Sequence, residues 1–279
     1  MGSTRTIALL GGGQLGRMFM ENALRYPVRV HSLDPDQEAP CAHLADRSTL
    51  GSLTDPETVL RYAADADVVG IEIEHVSVEA LRTLRDQGKR VIPDPDVLAI
   101  IQDKGLQKEF YREHGIPTAP FALVNGTPSI MEHQQLFPAF LKARTGGYDG
   151  KGVMPLNGVG DVAQAFQGPC VLEMRASIRT ELAVLVVRDE QGTHVVYDPV
   201  EMVFDPNLNL VDHLRAPARI PDQLAKDAQD LAVRVAAAFN APGLYAVELF
   251  LTHQGELWVN ETAPRAHNSG HHTIEACAS

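Results

Sequence analysis

The chain opens on Thr6–Gly13 (TIALLGGG), apolar at successive positions and closed by glycines, which predicts a buried strand running directly into a turn. Leu15, Met18, Phe19, Ala23 and Tyr26 then recur at helical spacing. A second strand is predicted over Val28–Leu33, ending at Asp34-Pro35, and a third over Asp67–Glu74, after a short helix opened by Thr54-Asp55-Pro56-Glu57. A helix around Glu79–Gln87 and a fourth strand at Val91-Ile92-Pro93 follow. Strands alternating with helices predict a parallel, doubly wound sheet over residues 1–95.

The pattern changes after a helix predicted from Pro95 to His114. Pro117, Pro120, Pro128 and Pro138 punctuate the chain before a short strand, Phe140-Leu141-Lys142-Ala143. Between it and Val153-Met154-Pro155 lies RTGGYDGKG, with four glycines in the nine residues Arg144–Gly152. Residues 170–175, 181–188 and 194–200 alternate in strand fashion. A long helix, Pro221 to Phe239, precedes two strands, Tyr245–Leu251 and Leu257–Asn260, joined around Gly255, so this half predicts antiparallel sheet. The expected fold class is α/β, with α+β character in the second half. The expected parts are residues 1–95, a linker helix and small lid over 96–175, and a core over 176–279.

Composition narrows the chemistry. The 279 residues are 44% hydrophobic and 22% charged, an ordinary globular balance. Three cysteines, Cys41, Cys170 and Cys277, form no CxxC pair, which fits a reduced cytoplasmic setting. No apolar run reaches the roughly 20 residues of a membrane span, and no signal-like segment opens the sequence. With 24 Lys+Arg against 36 Asp+Glu, the formal charge of -12 disfavours nucleic acid and acidic membrane surfaces as partners. An anionic ligand would need local cations.

Four motifs supply candidates. Gly11-Gly12-Gly13-Gln14-Leu15-Gly16 fits GxGxxG between strand and helix, with Asp34 closing the next strand. That pattern admits a dinucleotide, another anion at the helix N-terminus, or a structural turn. Lys142 and the loop Gly146–Gly152, containing Lys151, combine mobile backbone amides with cations, as phosphate binding requires. Glu248 and Glu261 lie on consecutive strands and can share one face, a hard oxygen site suited to magnesium; a salt-bridged pair with Arg265 is the plainer alternative. Arg265, His267 and Asn268 in APRAHNSGHH suit an anion-binding loop, whereas zinc on His267, His271 and His272 lacks cysteine partners.

Together these features resemble the ATP-grasp superfamily. More closely, GGGQLGRM, EIEHV, RTGGYDGKG and NETAPRAHNSGHHTIEA, in that order along nearly the whole chain, resemble its 5-(carboxyamino)imidazole ribonucleotide synthetase family. The resemblance implies a preATP-grasp doubly wound domain, a small lid and an antiparallel ATP-grasp core. It implies carboxylation of 5-aminoimidazole ribonucleotide with bicarbonate, driven by ATP through carboxyphosphate, in a cytoplasmic homodimer. It displaces the dinucleotide reading of the first loop.

The resemblance also implies roles. Lys104 and Lys142 contact ATP phosphates, with Gly147, Tyr148, Asp149, Gly150, Lys151, Gly152 and Val153 folding over them. Glu173, Met174, Arg175 and Ala176 read adenine through their backbone, Glu181 takes the ribose hydroxyls, and Glu248 and Glu261, helped by Asn260, hold Mg2+. Gly13, Gln14, Leu15 and Glu74, with Tyr148, lie beside the aminoimidazole ribonucleotide; Asp149 serves as base, and Arg265, His267 and Asn268 surround bicarbonate. Two departures stand out. Met202 and Phe204 occupy positions after Pro199-Val200-Glu201 where the family commonly has Asn and His. The family's chains also run on beyond Ser279, so a C-terminal lobe is expected to be missing and turnover to be poor. A formate-dependent glycinamide ribonucleotide transformylase and an idle nucleotide-binding module are the alternatives; EIEH and APRAHNSGH favour the synthetase.

Overall fold

The computed structural model describes residues 4–146, 152–204 and 211–277. Its first sheet is parallel, in the order β3-β2-β1-β4-β5: β1 (Arg5–Leu10), β2 (Val28–Asp34), β3 (Arg47–Leu50), β4 (Val68–Ile71) and β5 (Arg90–Ile92). Helix α1 (Gln14–Ala23) covers one face through Met20 and Ala23 against Leu9 and Val30. Helices α2 (Pro56–Ala63) and α3 (Val78–Asp86) cover the other through Val59, Leu81 and Leu84 against Leu10, Leu33 and Val69. Burial on both faces explains the unbroken apolar runs of β1 and β4. Asp55 and Ser77 cap α2 and α3 by accepting from the amides of Thr58 and Ala80, the reason these helices start where the sequence predicted.

The helix expected over Pro95–His114 is two helices, α4 (Pro95–Gln102) and α5 (Lys104–Glu113). Asp103 between them is extended (φ -114°, ψ 107°), and its carboxylate accepts from the amides of Gly105 and Leu106. An aspartate that can cap a new helix competes with continuing the old one. Leu98 of α4 packs into the first apolar cluster, whereas Val97 and Ile101 pack into the last.

A four-stranded antiparallel sheet follows in the order β6-β9-β7-β8: β6 (Phe121–Asn125), β7 (Ala139–Ala143), β8 (Val153–Leu156) and β9 (Pro169–Met174), with α6 (Thr127–Met131) packed on it. β6 and β3 were not anticipated. The last sheet has six strands: β10 (Ile178–Arg188), β11 (His194–Val196), β12 (Val200–Phe204), β13 (Val211–Arg215), β14 (Gly243–Thr252) and β15 (Leu257–Ala263). The strand expected over 194–200 is therefore two, separated at Tyr197–Pro199. Helix α7 (Asp222–Phe239) and α5 bury one face of this sheet, with Phe110, Phe239 and Tyr245 stacked at 4.3 and 5.5 Å between ring centroids. Among the described residues no helix is long and apolar enough to cross a membrane.

Candidate active site

The face of the last sheet opposite the α5 and α7 cluster carries the polar residues. Leu182, Val184 and Val186 of β10 enter the apolar cluster, so alternation turns Glu181 and Ala183 to the opposite face. Ala183 pairs with Glu248 of β14, while Val247 and Leu249 are core, so Glu248 shares that face. The register between β14 and β15 then slips: Val247 pairs with Thr262 but Leu249 with Val259. Glu248 thus stands opposite both Asn260 and Glu261, a bulge that brings three oxygen-bearing side chains to one spot. The expectation that the two glutamates share a face holds, through a register slip that the sequence does not reveal.

Charges complete the site. Asn260 Nδ2 donates to Glu248 Oε2 at 3.3 Å, and His267 Nε2 lies 3.3 Å from Glu248 Oε1. His267 Nδ1 in turn meets the Ser269 hydroxyl at 2.9 Å and accepts from the Ser269 amide at 3.3 Å, which orients the ring toward Glu248. Lys104 Nζ donates to Glu261 Oε2 at 2.7 Å, and its ammonium holds the Glu261 carboxyl at about 2 against burial. Glu248, Glu261 and Asn260 form the donor set magnesium prefers, with Lys104 and His267 now beside the carboxylates. Among the described residues no group of three or more His, Cys, Asp or Glu is placed to hold a metal, neither His267, His271 and His272 nor the two glutamates with His267. Arg265 does not pair with Glu248 or Glu261; its Nε lies 2.8 Å from Glu74 Oε1 on the first sheet's loops.

The four-stranded sheet supplies the facing side. Lys142 Nζ of β7 donates to Glu173 Oε1 at 2.7 Å, and Lys108 Nζ of α5 lies 2.5 Å from Glu173 Oε2. Burial would raise the Glu173 carboxyl, but Lys108 and Lys142 overcome it and hold it at about 2. Glu181 makes no such ion pair among the described residues, Lys142 acting on it only at a distance. Burial, then Glu248, raise its carboxyl to about 7. Beside it is a cavity of about 260 Å³, whose wall includes Arg179, Thr180, Met202 and Phe204. The two apolar side chains do line the same cleft as Glu181, so the departures noted in the sequence fall on the site.

In the segment expected to read adenine, the amides of Met174 and Arg175 already donate to the carbonyls of Pro120 and Pro138, at 2.8 Å each. This narrows the backbone contacts open to a base to Ala176 and to carbonyls, while the Glu173 side chain has a different task between two lysines.

On the first sheet, the loop amides are largely taken. Gly12 N–H donates to Asp34 Oδ2 at 2.7 Å and Gly13 N–H to Glu72 Oε2 at 3.3 Å. Asp34 is therefore a loop anchor rather than a ribose ligand. Gln14 and Leu15 open α1, which has no side-chain cap. Glu74 lies beyond β4, not at a strand end as expected, because β4 stops at Ile71. Asn268 is exposed at the start of a 3-10 turn, Asn268–Thr273, that reaches Leu185 on the site's face. Gly152 and Val153 are exposed at the entry to β8. Gly147, Tyr148, Asp149, Gly150 and Lys151 lie outside the described residues.

Sequence reasoning missed Lys108, Thr118, Glu72 and the pair Arg144–Asp103, whose three bonds measure 2.8, 3.1 and 2.7 Å. Only the spacing of Lys104 and Lys108 on one helical face hinted at any of them.

Comparison with known proteins bears on this geometry. A family model described as the ATP-grasp domain matches residues 109–279, and one described as the ribonucleotide synthetase preATP-grasp domain matches 4–102. The N5-carboxyaminoimidazole ribonucleotide synthase of Bacillus subtilis is 34% identical over 97% of this chain and 72% of its own length. The chain belongs to the N5-carboxyaminoimidazole ribonucleotide synthase family of ATP-grasp proteins. The phosphoribosylaminoimidazole carboxylase of Ogataea methanolica is 37% identical over 98% of this chain but 52% of that protein, so the chain spans about half the length of such relatives. The crystal structure of the Aspergillus clavatus synthase with ADP and 5-aminoimidazole ribonucleotide is 35% identical, with a TM-score of 0.90 over 99% of this chain and 73% of that one. The resemblance read from the four sequence motifs is borne out, and so is the mixed parallel and antiparallel ATP-grasp fold.

Proposed function

We propose that this chain carries the nucleotide and acceptor sites of an enzyme that carboxylates 5-aminoimidazole ribonucleotide with bicarbonate at the expense of ATP. The observation that carries this reading is the convergence of Glu248, Asn260 and Glu261 with Lys104 and Lys142 across one cleft. Phosphoryl transfer depends on positioning and charge neutralisation, and this cleft supplies both. ATP would lie with its ribose at Glu181 and its phosphates toward Lys104 and Lys142. The glycine loop Gly147–Val153 would cover them, and Ala176 with the carbonyls of Glu173–Arg175 would face adenine.

Magnesium held by Glu248, Glu261 and Asn260 would neutralise phosphate oxygens. On arrival of the anions, Lys104 is free to leave Glu261 for a phosphate. Arg265 would exchange Glu74 for the oxygens of bicarbonate or carboxyphosphate, which its planar fork fits in bidentate fashion. His267 and Asn268 would line the same anion. The acceptor would lie against Gly13, Gln14, Leu15 and Glu74, off the carboxyl ends of the parallel strands where open α/β sheets bind ligands. Tyr148 would contact it and Asp149 would take the proton from its amine. A 5-aminoimidazole ribonucleotide in the Aspergillus clavatus complex supports the substrate class.

The parts we assign are residues 1–95, 96–175 and 176–279; apolar clusters support the first and last, with α4 shared between them and Phe110, Tyr111 and Ile116 of the middle range packed in the last. A cytoplasmic setting belongs to the same reading, supported by three free thiols, and a homodimer is carried over with the family. Incorporation of labelled bicarbonate into the ribonucleotide tests it: label should appear only with ATP and the ribonucleotide together. Incorporation independent of ATP would contradict the reading.

A further inference from the structure

Lys104 and Lys108 are four residues apart on α5 and so point from one face of that helix. Each ends on a carboxylate of a different sheet. Lys104 reaches Glu261 on β15 at 2.7 Å, and Lys108 reaches Glu173 on β9 at 2.5 Å. Lys108 also donates to Thr118 Oγ1 at 2.6 Å, and that hydroxyl donates to the carbonyl of Val259 at 2.7 Å, next to Asn260. Lys142 holds the second oxygen of Glu173. A continuous chain of contacts thus runs from the strand bearing Asn260 and Glu261 to the lysine on the facing sheet. Its middle is closed to solvent, the side chains of Lys108 and Glu173 being 5% and 3% exposed.

We propose that Lys108 is a positioning residue for the nucleotide site, sharing the Glu173 carboxylate so that Lys142 keeps a partly uncompensated ammonium aimed at phosphate. The proposal rests on the nucleotide reading above. Two ammoniums face one carboxylate, leaving an excess positive charge in a buried setting, where such an excess is costly until an anion arrives. Were Lys108 neutral, Glu173 and Lys142 would form a self-satisfied pair with less call on a phosphate. Burial lowers the Lys108 ammonium and Glu173 only partly opposes it, so the charge on Lys108 depends on the shared carboxylate. The bond to Thr118 fixes the same ammonium to the sheet that carries the acidic residues, so Lys142 is registered against Asn260 and Glu261 through packed, hydrogen-bonded groups.

The test measures ATP, ADP and adenosine affinity by calorimetry for the wild type, Lys108→Met, Lys108→Arg and the double variant Lys108→Met/Glu173→Gln. Lys108→Met should weaken ATP and ADP tenfold or more while adenosine stays within twofold, because only phosphates sense the Lys142 charge. The arginine variant should recover part of the loss. The double variant, which removes the competing carboxylate too, should bind ATP within about threefold of wild type; it carries the test if the single variant does not fold. Equal weakening of ATP and adenosine, unchanged ATP affinity in Lys108→Met, or a double variant as weak as the single one would overturn the proposal. A wild type that binds adenosine and ATP equally would instead overturn the assignment of Lys104 and Lys142 to phosphates.

Discussion

Glu181 is a carboxylate raised by burial and by Glu248, with no cation at contact distance among the described residues and only Lys142 opposing from farther off. Its carboxyl, ordinarily at 4.5, stands at about 7. Between those values the folded chain keeps a proton that the unfolded chain releases. Its contribution to stability is therefore fully present below pH 4.5 and lost as pH rises through 7. A ribose binds best to the ionised form, which accepts from both hydroxyls. ATP affinity should then rise up to about tenfold from pH 6 to pH 8, as the competent fraction grows. Glu181→Gln should flatten the profile, the ligand's own titration being common to both proteins; equal slopes would remove Glu181 from the ribose.

Glu261 gives a sharper test at the same scale. Glu261→Gln keeps the shape but removes the charge shared by Lys104 and a metal, so magnesium-dependent turnover should vanish with circular dichroism unchanged. Normal turnover would take Glu261 out of the metal site. Residue types of this kind were legible in the sequence, because lysines beside glycines and glutamates on strands advertise their chemistry. Their partners were not. Lys108 and Glu173 are far apart in the chain, and nothing in local periodicity pairs them.

At the scale of elements, legibility followed periodicity. The β1–turn–α1 unit was evident because its apolar run and its helical spacing are unambiguous, and Gly11 at φ 103° shows why the turn needs glycine. A Cβ there would also lie 3.0 Å from the Glu72 Cβ, so Gly11→Ala should destabilise the chain by about 1–3 kcal/mol in chemical denaturation. β6 was hidden because Phe121–Asn125 follows two prolines and has no clear alternation. The α4–α5 break was hidden because aspartate inside a helical pattern is common, and only its tertiary bond to Arg144 reveals the junction. Asp103 fixes three things at once: the start of α5, the Arg144 guanidinium, and the position of Lys104, whose amide donates to the Arg144 carbonyl at 2.8 Å. Asp103→Asn keeps the cap but loses the charged pair, and should cost about 1–3 kcal/mol of stability. It should also loosen the base of the glycine loop, read as faster amide exchange at Lys104 and Thr145; unchanged exchange would argue against the coupling.

For the whole molecule, the formal charge of -12 and the proposed anionic ligands are reconciled by where the charges sit. Lys104, Lys108, Lys142 and Arg265 converge at the junction of the sheets, each held there by a carboxylate. Those carboxylates couple the sheets to pH. Glu173 and Glu261, lowered to about 2, contribute stability that is present above their ordinary 4.5 and lost as pH falls toward 2. Fluorescence of Trp258, the sole tryptophan and two residues from Asn260, should report loosening within that acid window. No change there would mean that the buried pairs do not join the sheets.

The most direct measurement is phosphate release from ATP in the presence of magnesium and bicarbonate, with and without 5-aminoimidazole ribonucleotide. Release should rise on adding the ribonucleotide, and Arg265→Lys, which loses the bidentate fork, should blunt the rise. Release that is indifferent to the ribonucleotide, in a chain that binds ATP, would contradict the proposed function.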